Sequence, residues 1–190
     1  MKNIKKLFAI LLCFCTSILF CSCFNGGEEY YCYFDVDIIE VFTDESVDVF
    51  ALEHLSNLED EALHLEADEG ITISGSQITA SGGGEYVIYV CHSSDRLAQI
   101  VVHAYEIVSD DSLSYYVDSH NAFDDSDSYV VSITKNGQNH SSFTFSSSAQ
   151  DVDITKVMNN LQIVCGLGQN FDITIKDSAS YKAIILHFPL

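Results

Sequence analysis

Ile71-Thr72-Ile73-Ser74-Gly75-Ser76-Gln77-Ile78-Thr79-Ala80, followed by Gly84-Glu85-Tyr86-Val87-Ile88-Tyr89-Val90-Cys91, decides the fold. In the first stretch, two short β-rich runs flank a glycine, the residue that enters a tight turn without steric cost. Gly82-Gly83-Gly84 is a second turn signal, and Glu85–Cys91 is dense in β-branched and aromatic residues, which suit a pleated, half-buried surface. Ile78, Ala80, Tyr86, Ile88 and Val90 fall at alternating positions, so one face of each strand is expected to fill a core. Ser93-Ser94-Asp95 then turns the chain into a long strand at Leu97–Ile107.

Working towards the N-terminus, Asp35–Phe42 and Ser46–His54 read as strands separated by the turn residues Thr43-Asp44-Glu45. Residues 52 to 67 carry two periods. Leu52, Leu55 and Leu58 keep helical spacing, whereas Leu63 and Leu65 alternate with His64 and Glu66. The alternation favours a strand at Ala62–Ala67 with a loop before it. Short strands at this spacing indicate an all-β sandwich.

Three segments together resemble the group 2 bacterial immunoglobulin-like domain: Ile73–Ala80, Gly84–Val90 and Ile100-Val101-Val102-His103-Ala104. The resemblance covers roughly residues 35–107, and its motif lies in the second half. It implies an Ig-like β-sandwich of the kind that supplies spacers and adhesive modules on cell surfaces. The family often places a Trp in its third strand; this chain has no Trp, so Leu63 or Leu65 is expected in that place. Fold alone does not fix function.

Beyond Ser109-Asp110-Asp111-Ser112, which reads as a short linker, a second β-rich unit is expected over residues 109–190. Leu113–Asp118 is a candidate strand and Ser119–Ser128 a polar loop. Asn136-Gly137 between Tyr129–Lys135 and Gln138–Phe145 is a two-residue hairpin signal of type I′. Asp153 is expected to cap a short helix, because Ile154, Val157, Met158 and Leu161 share one helical face. Strands follow at Leu161–Cys165, Phe171–Lys176 and Tyr181–Phe188. The expected fold class is therefore all-β: an Ig-like β-sandwich over 35–108, then a second small β-sandwich-like domain with one short helix.

The N-terminus gives an address. Lys2, Lys5 and Lys6 precede an uncharged apolar run from Leu7, the pattern of a secretory signal. Its end resembles a bacterial lipoprotein signal, with Ser22 before Cys23. That resemblance implies a signal peptide over 1–22, lipidation at Cys23 and a tether over 23–34. Cys21, preceded by bulky Phe20, is the poorer lipidation site. Simple release and an uncleaved anchor are the alternatives.

The formal charge is −20, and three of the eight basic residues lie in the leader. A body this acidic excludes nucleic acid as partner, since Lys and Arg must replace counterions there. It also excludes docking on anionic lipid, so membrane attachment falls to the N-terminal lipid. Cys32, Cys91 and Cys165 lie beyond the leader; they read as buried single thiols or as a Cys32–Cys91 disulfide with one thiol left.

Chemistry is sparse. Gly166-Leu167-Gly168 is a turn and not a phosphate loop. The seven histidines, His54, His64, His92, His103, His120, His140 and His187, form no His-x-His pair. Asp124, Asp125 and Asp127 make an oxygen-rich loop, a candidate calcium site that lacks the Gly and Glu of an EF-hand; otherwise no cofactor is expected. The expected function is a non-enzymatic, lipid-anchored surface protein that contacts a surface protein or glycan, or acts as a spacer. The alternative is an accessory protein or hydrolase acting on envelope polysaccharide through paired carboxylates.

Overall fold

The computed structural model describes residues 32–52, 55–56 and 63–190. The leader, Cys21, Cys23, Tyr30, Tyr31 and His54 lie outside the described residues. The described chain is all-β, and its only helical element is a 3-10 turn at Val49–Ala51. The strands are β1 (Tyr33–Phe34), β2 (Ile38–Phe42), β3 (Ser46–Asp48), β4 (Leu55–Ser56), β5 (Leu63–Ala67), β6 (Ile71–Ser74), β7 (Gln77–Ala80), β8 (Gly84–His92) and β9 (Asp95–Ile107). Then come β10 (Ser114–Ala122), β11 (Ser126–Lys135), β12 (Gln138–Asn139), β13 (Thr144–Ser147), β14 (Asp153–Val157), β15 (Asn160–Gly166), β16 (Phe171–Asp177) and β17 (Lys182–Phe188).

Two layers close around the first core. β5, β8, β9 and β2 form one sheet, and β3, β7 and β6 the other. Val41, Leu65, Ile88, Val90, Ile100 and Val102 from the first meet Ile78 and Ala80 from the second. Each fully buried aliphatic side chain contributes about 1.5–3 kcal/mol relative to exposure. Gly75 has φ +64 as the first of two turn residues between Ser74 and Gln77, the position that a II′ hairpin gives to glycine. The strand expected over Ser46–His54 stops early. Asp48 accepts hydrogen bonds from the backbone N–H groups of Phe50 and Ala51 at 3.1 and 3.3 Å, and this local capping turns the chain into the 3-10 element.

The second core is also enclosed by two layers. Tyr129, Val131 and Ile133 of β11 and Leu161, Ile163 and Cys165 of β15 face Ile173 and Ile175 of β16 and Ile184, Leu186 and Phe188 of β17. The expected Asn136-Gly137 turn is present. Both residues have positive φ, +52 and +74, and Lys135 pairs with Gln138. Two expectations are corrected. The helix over Asp153–Leu161 is instead a β14–β15 hairpin, with Val157 opposite Asn160. Its turn residue Met158 sits at φ +56 and is 79% exposed, so the residues that mimicked a helical face are split across a turn. The polar loop expected over Ser119–Ser128 is largely strand. β10 runs to Ala122, β11 resumes at Ser126, and Phe123 N–H donates to the Ser126 carbonyl at 2.8 Å.

The two cores share a sheet. The end of β9 pairs in parallel with the start of β17, Glu106 opposite Lys182 and Ile107 opposite Ala183. Ala104 and Tyr105 are therefore consecutive and both fully buried, because each face of the strand is covered at that point. The Tyr105 hydroxyl lies 3.2 Å from Glu40 Oε1 and 3.0 Å from Ser178 Oγ. Lys176 Nζ reaches Glu40 Oε2 at 2.6 Å. Burial would raise the Glu40 carboxyl, but Lys176 and Tyr105 outweigh it and hold the group below its ordinary range. Burial, with Glu40 beside it, raises the Tyr105 phenol. Tyr181 adopts φ +52, unusual for a bulky residue, and its carbonyl accepts from Glu106 N–H at 2.9 Å. Gly83 packs so closely here that a Cβ would sit 2.5 Å from that carbonyl oxygen.

Candidate functional site

The three aspartates of the acidic loop do not share one environment. Asp124 and Asp125 are exposed, whereas Asp127 is 4% exposed. Both Asp127 carboxylate oxygens have partners within the chain. Oδ1 lies 2.9 Å from His120 Nε2, and Oδ2 accepts from Gly168 N–H at 2.9 Å. The Gly168 amide, followed by His120, lowers the carboxyl below its usual range. Asp127 thus ties β10 to the turn after β15. His120 stacks flat on Tyr129, ring centroids 4.3 Å apart. The buried Tyr129 hydroxyl has no hydrogen-bond partner among the described residues. An unsatisfied buried hydroxyl costs free energy, so Tyr129→Phe is expected to be neutral or to stabilise by up to about 1 kcal/mol. Chemical denaturation followed by far-ultraviolet circular dichroism checks this; a loss of more than that amount would show that the hydroxyl is satisfied.

Strand β10 is the unusual surface. Nearly all of it is exposed, and among the described residues it forms the edge of its sheet, bonded on one side to β11. A long open edge invites pairing with another chain. Here a register shift between Val117 and Ser119 interrupts it, and bulges of this kind limit uncontrolled pairing. Tyr115 and Tyr116 project from this strand, Tyr116 being 49% exposed. Beside Tyr115 runs a groove of ≈ 600 Å³ lined by Ile107, Val108, Leu113, Tyr115, Ile184 and His187. Apolar walls with a few polar groups are the usual lining of a ligand cleft.

Cys32, Cys91 and Cys165 are free and buried. Burial raises all three thiols. Cys91 adds to the effect on Cys32, Glu66 to that on Cys91, and Asp127 to that on Cys165. Cys91 is buried but stands outside the aliphatic cluster of the first core. Register places it opposite His64, on the face away from Leu65 and Val90. His64 and Glu66, two residues apart on β5, share that face. One ligand atom from each of His64, Glu66 and Cys91 lies within 4.8 Å of the other two. Arg96 Nε and Nη2 both bind Glu66 Oε2 at 2.9 Å, and the Arg96 guanidinium lies 3.8 Å above the Tyr89 ring. A search for paired histidines passes over this group; the signal that finds it is His-x-Glu on one strand with a cysteine facing it.

No protein-family model matches the chain, and no curated protein does. Among solved structures, it is similar to the N-terminal eight Ig domains of Down Syndrome Cell Adhesion Molecule at 9% identity, covering 84% of this chain and 27% of that one, with a TM-score of 0.30. It is similar to the Yersinia pseudotuberculosis adhesin InvE at 12% identity, covering 87% and 62%, with a TM-score of 0.27. It is also similar to a β-glycosidase from Bacteroides vulgatus at 10% identity, covering 66% and 21%, with a TM-score of 0.26. The chain spans less than two thirds of the length of each. Likenesses this distant leave the functional reading to the chain's own residues.

Proposed function

We propose that this chain is a lipid-anchored, extracytoplasmic surface protein without catalytic activity. The unit over 35–108 serves as an Ig-like spacer, and the unit over 109–190 serves as the binding module. The observation that carries this reading is the pairing of β9 with β17. One sheet runs from the spacer into the distal unit, so the distal surface is presented at a fixed angle and not on a free linker. The Lys-rich start and Ser22-Cys23 support an anchor made by lipid at Cys23. The face of β10 and its groove offer exposed aromatic area to a surface protein or glycan.

The anchor and the binding face are tested separately in the native host. The chain is expected in the membrane fraction, with Cys23→Ser releasing it to the soluble fraction. Unchanged processing and retention in Cys23→Ser would end the lipid-anchor reading. For the binding face, the full chain is passed over solubilised envelope protein and over envelope glycan. Retention on either is expected to fall at least about tenfold in Tyr115→Ala, which removes the exposed aromatic ring that lines the groove, a loss typical of an aromatic hot spot. Equal retention of Tyr115→Ala and wild type would remove β10 and its groove as the contact surface.

A further inference from the structure

We propose that His64, Glu66 and Cys91 form a binding site for a divalent transition-metal ion of the zinc class. A cysteine kept for packing alone belongs with the aliphatic side chains. Cys91 instead lies on the opposite face of the sheet, across from a histidine and next to a carboxylate, while being 1% exposed. Thiolate, imidazole and carboxylate are the ligand types zinc takes, and three protein ligands leave a fourth position open. Tetrahedral zinc would hold its ligand atoms about 3.5 Å apart. The three atoms, already within 4.8 Å of one another, need about 1 Å of closure. His64 is exposed and can supply it by rotation about its side-chain bonds.

Arg96 fits this arrangement. Both of its contacts go to Glu66 Oε2, which orients the carboxylate and leaves Oε1 for the ion. Outer partners of this kind commonly fix a metal-binding carboxylate. Binding replaces the Cys91 thiol proton, which is released to solvent as the sulfur–metal bond forms. The strongly negative charge of the chain raises the local concentration of cations. The bound ion would clamp β5 to β8 at the open end of the first sandwich.

Cobalt(II) serves as the spectroscopic probe on the full chain, reduced and stripped of metal. One cobalt per chain is expected, with a thiolate-to-cobalt charge-transfer band that zinc displaces. Zinc is expected to raise the single melting midpoint of the chain by on the order of 5 °C. Cys91→Ser should abolish the band. Because Cys91 is buried, the decisive variant is the surface change His64→Gln, which should fold normally and weaken cobalt binding at least about tenfold. Titration of His64→Gln indistinguishable from wild type would overturn the site. So would the absence of a charge-transfer band, or recovery of the chain from its host with Cys91 locked in a disulfide to Cys32.

Discussion

Asp177→Ala is expected to destabilise the chain by about 3–5 kcal/mol, the usual effect of removing one partner from a buried charge pair. Asp177 is fully buried at the end of β16. Its Oδ2 accepts from Lys135 Nζ and Ser180 Oγ, each at 2.6 Å, and its Oδ1 accepts from Ala179 N–H at 3.1 Å. The carboxylate therefore both neutralises the end of β11 and shapes the turn into β17. Truncation leaves the Lys135 ammonium, 30% exposed, without its counter-charge and the turn without its acceptor. Burial pushes this carboxyl up, but the lysine and the hydrogen bonds push it down further, and the net direction is down. The sign of the pH effect follows. A carboxyl that is more acidic in the folded state stabilises the fold above the unfolded value, near 3.9. That stability is lost as the pH falls from there through the lower folded value. Thermal melts at descending pH should show wild type losing ground in this acid window, while Asp177→Asn, which cannot ionise there, follows a flatter curve. Parallel curves for the two proteins would show that Asp177 is not held as a buried carboxylate.

Tyr105→Ala should cost about 3–5 kcal/mol, the range for truncating a fully buried aromatic side chain. It should also separate the unfolding of the two units. Tyr105 is where both cores meet, through Glu40 of β2 on one side and Ser178 beyond β16 on the other. Lys176 lies 5.2 Å from its ring centroid while bonding Glu40, so losing the ring also loosens that ion pair. Calorimetry should resolve one transition in wild type and two in Tyr105→Ala. Tyr105→Phe, which keeps the ring and removes the hydroxyl, should lose only about 1 kcal/mol and retain the single transition. Two transitions already present in wild type would mean that the shared sheet does not couple the units.

How much was legible depended on whether local chemistry and tertiary context agreed. Gly75 and Asn136-Gly137 announced their turns because the backbone there needs positive φ and the sequence supplies residues that tolerate it. The β14–β15 turn needs the same geometry but places Met158 at the positive-φ position, so no glycine marked the reversal, Asn159-Asn160 gave only a weak turn signal, and the apolar spacing around it imitated a helix. The polar half of β10 read as a loop because a strand exposed on both faces has no alternation to display. Of the acidic loop, the residue types were visible; that the buried Asp127 would turn inward to His120 and Gly168 was not. The group at His64, Glu66 and Cys91 was hidden for a related reason. Its members come from two strands, and only the register of β5 against β8 brings them together.

The parallel run of β2 beside β9, Ile38 opposite Val101 through Phe42 opposite Tyr105, has a mechanical consequence. Tension entering ahead of β2 and leaving through the far end of β9 would drag these strands lengthwise past each other. Their hydrogen bonds would then bear the load in shear, all at once, and would not open one after another like a zip. A tethered body tugged at its distal tip would in this way resist extension far better than its modest size implies.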